Sequence, residues 1–530
     1  MPSETKQCQS CEGSFTIDPD DFAFYAQMQV PPPTWCPECR MDRRLGWWAY
    51  RVLYKRKCDW TGDTVVTTTH PSMKQKVYRQ DIWWSDKWDP KSYGRDYDFS
   101  RPFFDQWKEL LDDVPMPALF TEYTTMINSE YCNSSATLKN CYLCFKADNS
   151  EDCAYLNTIT NMKDSFDCSF ANFGELCYSS VNLTKCSKIF FSQDCEESHD
   201  IWYSRDLVGC ANCIGCINLR NKNYHAFNKP ISKEEFETLL RDPDIKKKSE
   251  AFMLTQPRRQ FHGYKNQDVS GDYLYNCKNV KNSYMVRNSE NVRYGQLLKN
   301  GPAANCMDYT AFATKAEWVY DSAWVGINVS NIKFSFWCYK DHDLEYCFGC
   351  HGAGNLFGCI GIRGGEYCIL NKQYSPDEYK KLVEKIKTHM INTGEYGQFF
   401  PSELCPWPVN ETNLIEWQDL TKEEVEKKGF RWIDSDKKDW GPAHDDIMKC
   451  EQCERNYQYI QKEIDFHKRF NLELPKQCPL CRDRARIRQL NPMQIYNRQC
   501  AKCSKDIETS YAPDRSEIVY CVECYQQEVV

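Results

Sequence analysis

Twelve of the chain's 32 cysteines form Cys-x2-Cys pairs that combine into three sets. Cys8/Cys11 are followed after 24 residues by Cys36/Cys39, and Cys450/Cys453 after the same 24 by Cys478/Cys481. Cys500/Cys503 and Cys521/Cys524 form the third set, with a spacer of 17. Each pair closes a tight knuckle that presents two thiolates. Two knuckles complete a tetrahedral four-thiolate site with bonds of about 2.3 Å and no open position. Closed sites of this kind fold a domain and leave no coordination position for substrate. Three Zn2+ ions per chain, held structurally, are therefore expected.

A shift of 442 residues superposes more than cysteines. Cys36-Pro37-Glu38-Cys39-Arg40 meets Cys478-Pro479-Leu480-Cys481-Arg482, Tyr54 meets Tyr496, Arg56 meets Arg498, and Cys58 meets Cys500. The remaining ligands of that last set, Cys503, Cys521 and Cys524, are matched by Thr61, Arg79 and Ile82. The N-terminal module thus reads as a duplicate whose second ribbon lost its metal, with Cys58 a leftover buried thiol.

The first knuckle pair of each copy resembles a family of treble-clef zinc-ribbon domains found in bacterial proteins. Its pattern is Cys-x2-Cys, an aromatic four residues on, a Phe-Tyr-like helix and Pro-x-x-Cys-Pro-x-Cys-Arg. Phe15, Phe24-Tyr25 and Pro33 through Arg40 carry it in the first copy. Tyr457, Phe466-His467 and Pro475 through Arg482 carry it in the second, with His467 in the tyrosine's place. The likeness covers about 35 residues per copy and implies zinc binding without an activity. The whole chain also resembles a family of cysteine-rich bacterial proteins of the same layout, to which no activity is attached.

At 530 residues the chain exceeds one hydrophobic core. A net charge of −8 excludes a global polycation, so any contact with nucleic acid must come from a local patch. The opening residues contain no apolar leader, and no run has the length of a membrane helix. A cytoplasmic protein with reduced thiols is expected, without membrane attachment, and paired cysteines there point to metal.

Between the zinc modules, cysteine recurs in steps of nine at Cys168, Cys177, Cys186 and Cys195, and again at Cys350, Cys359 and Cys368. Gly215-Cys216-Ile217 returns as Gly358-Cys359-Ile360, so this region is itself duplicated. Short runs broken by Asn, Asp, Ser and Gly predict a β-solenoid with coils of roughly 20–25 residues and cysteine as a small inward hydrophobe. Cys210, Cys213 and Cys216 lack the fourth member of a ferredoxin-type set and are read as part of that inward ladder. Capping boxes at Ser232/Glu235, Ser375/Glu378 and Thr421/Glu424 predict three helices, two of them closing the coils.

The fold class expected is mainly β with small α+β zinc modules, a duplicated β-solenoid-like middle flanked by treble-clef or zinc-ribbon domains. A treble-clef module spans 1–57, a degenerate ribbon with an aromatic linker and helix 58–127, and the first solenoid half 128–242. A linker follows over 243–267, the second half over 268–391 and a connector over 392–449. A treble-clef module at 450–499 and a ribbon at 500–530 complete the chain.

The segment Arg40–Lys57 carries a net +6 and is the expected working surface. Arg40, Arg44, Trp47, Arg51 and Tyr54 share a helical face, with Arg43, Lys55 and Arg56 nearby and Arg482, Arg486 and Arg498 as counterparts in the second copy. Guanidinium groups beside aromatic rings suit phosphates and unstacked bases. RNA or a ribonucleoprotein or ribosome surface is the expected partner; a protein partner or a purely structural scaffold is the alternative. The cluster Trp83-Trp84-Ser85-Asp86-Lys87-Trp88 reads as a packed joint. A carbohydrate-active solenoid enzyme is the third reading, but Glu151, Asp152, Asp194, Glu196 and Glu197 single out no catalytic pair and no catalytic residue is expected. The oligomeric state is not encoded in any feature of the sequence.

Overall fold

The computed structural model describes residues 2–434 and 447–529, so part of the expected connector over 392–449 lies outside the described residues. The chain is mainly β: a solenoid in two eleven-stranded sheets, with small cysteine-rich modules toward both ends. Asn157 lies opposite both Phe145 and Ser169 in parallel pairing, so one coil takes 12 residues rather than the 20–25 expected. The cysteine step of nine is three quarters of that coil.

The reason lies in the backbone. Every third residue sits in the left-handed region, as at Asn140, Leu143, Lys146, Asn149, Asp152 and Tyr155. Four such bends close a coil of 12. Asn and Asp tolerate this conformation best, and they are tied along the stack: Asn128 Nδ2 donates to Asn140 Oδ1 at 3.0 Å, and Asn140 Nδ2 to Asp152 Oδ1 at 3.1 Å.

The inward position of each three-residue unit takes small or slender side chains, except that the longer coils of the second half admit Tyr309. Cys132, Cys141, Cys144, Cys153, Cys168 and Cys177 fill it in the first half, together with Leu138, Ile159 and Leu183. Serine takes the same place and shows why. Ser180 Oγ donates to the Tyr178 carbonyl at 2.8 Å and accepts the Ser192 N–H, one coil on, at 3.2 Å. Cys132 Sγ accepts the Cys144 N–H at 3.4 Å in the same register. Cys210, Cys213 and Cys216 occupy three successive inward positions, each Sγ against the carbonyl two residues back.

The second half departs from 12 in its middle. Glu290 pairs Ala304, a step of 14, and Ala303 pairs Ala316 and Ala316 pairs Val329, steps of 13, before Ser330 and His342 restore 12. Both halves close alike: an antiparallel strand, Lys229–Pro230 or Lys372–Gln373, turns back on the last coil. The helices Lys233–Leu239 and Pro376–Asn392 follow, with the capping boxes of Ser232 and Ser375 formed. The third box, at Thr421, opens the helix Lys422–Lys427.

Chain order and packing order differ. One compact unit comprises Met1–Ala118, Phe261–Ile433 and Met493–Ile495; the other comprises Leu119–Gln260, Asp434–Pro492 and Tyr496–Val530. The N-terminal module therefore packs on the second solenoid half, and the C-terminal modules pack on the first.

Candidate metal centres

Each cysteine set is built by a hairpin and the start of a helix. The strands Glu4–Gln7 and Ser14–Ile17 pair, and the turn between them is closed by Cys8 N–H on the Gly13 carbonyl at 2.8 Å and Glu12 N–H on the Cys8 carbonyl at 2.9 Å. Cys36 caps the helix Pro37–Gly46, and its Sγ accepts the Cys39 N–H at 3.5 Å. The knuckles are then locked together by the Cys36 N–H on Cys8 Sγ at 3.2 Å. The same bond runs from Cys478 to Cys450 and from Cys521 to Cys500, each at 3.2 Å.

These bonds prepare a thiolate. Burial works to raise the Cys8 thiol, but N–H groups of Cys36, Cys11 and Ser10 bring it down to about 7. The same balance lowers Cys450 and Cys500 to about 6. In each set the four Sγ atoms lie within 4.8 Å of one another. Cys11–Cys36, Cys453–Cys478 and Cys503–Cys521 are 3.8, 3.7 and 3.8 Å apart. A tetrahedral four-thiolate site with 2.3 Å bonds has edges of about 3.8 Å. The donor sets therefore fit a metal ion, with all four positions taken by sulfur.

The fourth knuckle keeps the backbone without the ligands. Cys58 N–H meets the Asp63 carbonyl at 2.8 Å, and Cys58 Sγ accepts N–H groups of Thr61 at 3.4 Å and Arg79 at 3.2 Å. Arg79, in the place of Cys521, bonds Asp63 and holds Asp81 through Nε at 2.5 Å and Nη2 at 2.8 Å. An ion-pair triad thus ties the strands where a metal would. Ile82 in the place of Cys524 is buried.

The basic segment Arg40–Lys57 is not the open face that its charge suggested. Arg40 is 2% exposed and meets Asp308 through Nε at 2.9 Å and Nη2 at 2.8 Å. Arg44, fully buried, bridges Asp321 at 2.7 Å and Asp308 at 3.3 Å and donates to Thr310 Oγ1 at 2.9 Å. Arg43 pairs Asp321 at 3.0 Å and lies over the Trp35 ring at 4.4 Å. Burial works to raise the Asp321 carboxyl, but Arg43, Arg44 and Arg40 hold it below the usual carboxylate range. Trp47 is buried against Phe400, with centroids 5.0 Å apart. Arg51 pairs Glu416 at 2.7 Å, and Tyr54 donates to Glu411.

The second copy repeats the arrangement on the other solenoid half. Arg482 meets Asp167 at 2.6 Å and Glu463 at 2.7 Å and covers the Tyr155 ring at 4.7 Å. Arg486 meets Asp167 at 2.7 Å and donates to Ser169 Oγ at 3.2 Å. Here burial prevails over Arg482 and raises the Glu463 carboxyl. Asp167, Asp308 and Asp321 all stand at left-handed corners of coils, where the bend turns a short carboxylate outward. Arg56 and Arg498 are tethers: Arg56 donates to the carbonyls of His70 at 3.4 Å and Gln75 at 3.3 Å, and Arg498 to those of Ala512 and Glu517, each at 3.2 Å. Of the residues expected to meet nucleic acid, Lys55 alone is exposed.

The tryptophan cluster packs as a joint. Trp83 stands 5.4 Å from Trp337, and Arg363 lies over Trp88 at 4.8 Å. Four of the five carboxylates considered for catalysis are spread along the solenoid in ion pairs: Glu151 with Lys139, Asp152 with Lys462, Asp194 with Arg205 and Glu197 with Lys185. The acidic corners Asp167, Asp308 and Asp321 escaped the sequence reading. The one signal for them was the pair Arg40/Arg44 recurring as Arg482/Arg486, which asks for a matched acidic partner in each solenoid half.

No protein-family model matches the chain, and no curated protein does. A crystal structure of a "putative acetyltransferase" from Desulfovibrio desulfuricans G20 is similar over 51% of this chain and 81% of its own. Its identity is 11% and its TM-score 0.09, so the likeness carries no argument about fold or function. No described helix is long and apolar enough to cross a membrane.

Proposed function

We propose that the protein is a zinc-stapled binding scaffold whose partner is RNA or a ribonucleoprotein surface. Three all-sulfur clusters with S···S edges of 3.7–3.8 Å carry the scaffold part. Borderline-soft Zn2+ suits four thiolates in a site that needs no redox change. Cys8, Cys11, Cys36 and Cys39 would hold one ion; Cys450, Cys453, Cys478 and Cys481 a second; Cys500, Cys503, Cys521 and Cys524 the third. The ions supply cross-links between knuckle and helix, which is folding free energy. A hairpin knuckle completed by a knuckle at a helix N-terminus supports the treble-clef reading of both duplicated modules.

The buried arginines fasten the modules to the solenoid and leave RNA contact to what remains outside, of which Lys55 is the expected member. Binding of single-stranded RNA to the full chain, measured across a salt series, tests the reading. A steep loss of affinity with salt supports it, and no binding at low salt contradicts it. The alternative partner is a protein, and the observation favouring it is that most of the expected basic surface is spent internally.

A further inference from the structure

We infer that the buried guanidinium of Arg258, with Arg205 beside it, holds a small free oxyanion of the phosphate or sulfate class. The site stands where residues 511–517 of the C-terminal ribbon come up to the solenoid coil that carries Asp194 and Arg205.

The backbone of Arg258 is fixed. Its strand, Arg258–Arg259, runs parallel to Val519–Tyr520, and its N–H donates to the Ile518 carbonyl at 2.7 Å. The side chain is 7% exposed, and its enclosed Nε and Nη1 have no hydrogen-bond partner. Among the described residues Arg258 also has no ion-pair partner. The carboxylates within electrostatic reach already carry arginines. Asp194 Oδ2 lies 3.2 Å from Arg205 Nε, and Asp194 Oδ1 accepts from Asn182 at 2.8 Å. Glu517 accepts Arg515 Nε at 3.1 Å through one oxygen and Arg515 Nη2 through the other. Arg205, Arg258 and Arg515 thus face Asp194 and Glu517, and one positive charge is left uncompensated. Burial, with Arg205 close enough to repel, brings the Arg258 guanidinium down to about 10, against the pull of Tyr511, Glu517 and Asp194. It therefore stays charged at neutral pH. A charge withdrawn from water without a counter-ion is costly, and a bound anion removes that cost.

The duplicated half shows that the fold does not ask for this charge. Val77–Tyr78 pairs Met116–Pro117 in the register in which Val519–Tyr520 pairs Arg258–Arg259, so Met116 stands in the place of Arg258. Arg205 is bridged to Gln193 and Ile217; in the second solenoid half Phe348, bridged to Phe336 and Ile360, takes its place. Trp337 likewise replaces Asp194, and Thr69, Met73 and Gln75 replace Tyr511, Arg515 and Glu517. All six are buried and none is charged. The same backbone thus closes over an apolar and neutral set in one copy and over guanidinium groups in the other. A planar fork of donors matches the oxygens of a tetrahedral oxyanion. So enclosed a group suits a small ion and not a polymer.

The test uses the full zinc-loaded chain at neutral pH, with calorimetric titration of inorganic phosphate and thermal unfolding in phosphate, sulfate, AMP or chloride at matched ionic strength. Phosphate and sulfate stabilise folded proteins weakly by exclusion, so the readout is a saturable rise in the unfolding midpoint at millimolar anion. The wild type is expected to gain about 2–5 °C in phosphate or sulfate over chloride, with one phosphate bound per chain. AMP, too large for the slot, is expected to match chloride. Arg258→Met, which installs the duplicate's apolar side chain, is expected to fold, shown by unchanged metal content and circular dichroism, and to lose the saturable rise. Arg258→Lys keeps the buried cation without the fork and is expected to weaken phosphate binding about tenfold or more. No heat of phosphate binding to the wild type overturns the site, as does a rise with AMP but none with phosphate. Binding that both variants retain at wild-type strength shows an adventitious ion only and overturns it equally.

Discussion

Arg44 Nη1 lies 2.7 Å from Asp321 Oδ1, with both side chains withdrawn from solvent and the two residues 277 positions apart in the chain. A buried charge left without its partner costs about 3–5 kcal/mol. Arg44→Ala or Asp321→Ala is therefore expected to destabilise the unit containing the N-terminal module by that order in urea unfolding. Removing both is expected to cost less than the sum. Arg44→Lys does not restore the fork that reaches Asp308, Asp321 and Thr310. Because the folded Asp321 carboxyl titrates below its usual range, its contribution is present above that range and is lost as pH falls through the folded value. The wild type is expected to lose stability in acid more steeply than Asp321→Asn.

Asp341 behaves in the opposite sense. It occupies an inward position, accepts the Ala353 N–H at 2.8 Å, and is pushed up to about 8 by burial. A carboxyl raised in the fold favours folding at low pH, and that contribution is lost as pH rises toward 8. Asn keeps the acceptor and removes the titration. Asp341→Asn is expected to gain on the order of 1–3 kcal/mol at pH 8 relative to pH 4. Parallel stability-against-pH curves for variant and wild type would contradict this.

Packing across the chain order predicts fragment complementation. A cut after residue 260 separates the N-terminal module from the solenoid half that it packs on, and does the same to the C-terminal modules. Fragments 1–260 and 261–530 are expected to be insoluble or partly folded alone and to co-purify when expressed together. Two well-folded fragments that ignore each other would contradict the assignment.

The inward cysteines are expected to be replaceable by serine, which already occupies the same positions. Cys168→Ser is expected to cost less than about 1.5 kcal/mol in thermal unfolding, since the hydroxyl finds the Phe166 carbonyl that Cys168 Sγ meets at 3.4 Å. Cys168→Leu overpacks the coil and is expected to cost about 1–3 kcal/mol. A reversed order would show that the thiol does more than fill space.

The cysteine sets and the duplication were legible because ligand spacing is local. The capping boxes were legible for the same reason. Coil length was not, since Leu143, Tyr155 and Phe173 take the left-handed bend as readily as Asn140 does, and residue type hides the period of three. The arginine helix was misread for a further reason. A pattern of Arg40, Arg44 and Trp47 on one face describes a solvated surface and a buried dock equally well. What decides between them is Asp308 and Asp321, more than 260 residues away.

Metal analysis of the purified full chain tests the central claim most directly. The account predicts three zinc ions per chain, released by a chelator together with loss of the folded modules, and unchanged by Cys58→Ala. Four ions per chain, with one lost on Cys58→Ala, would contradict it, as would a folded protein that holds none.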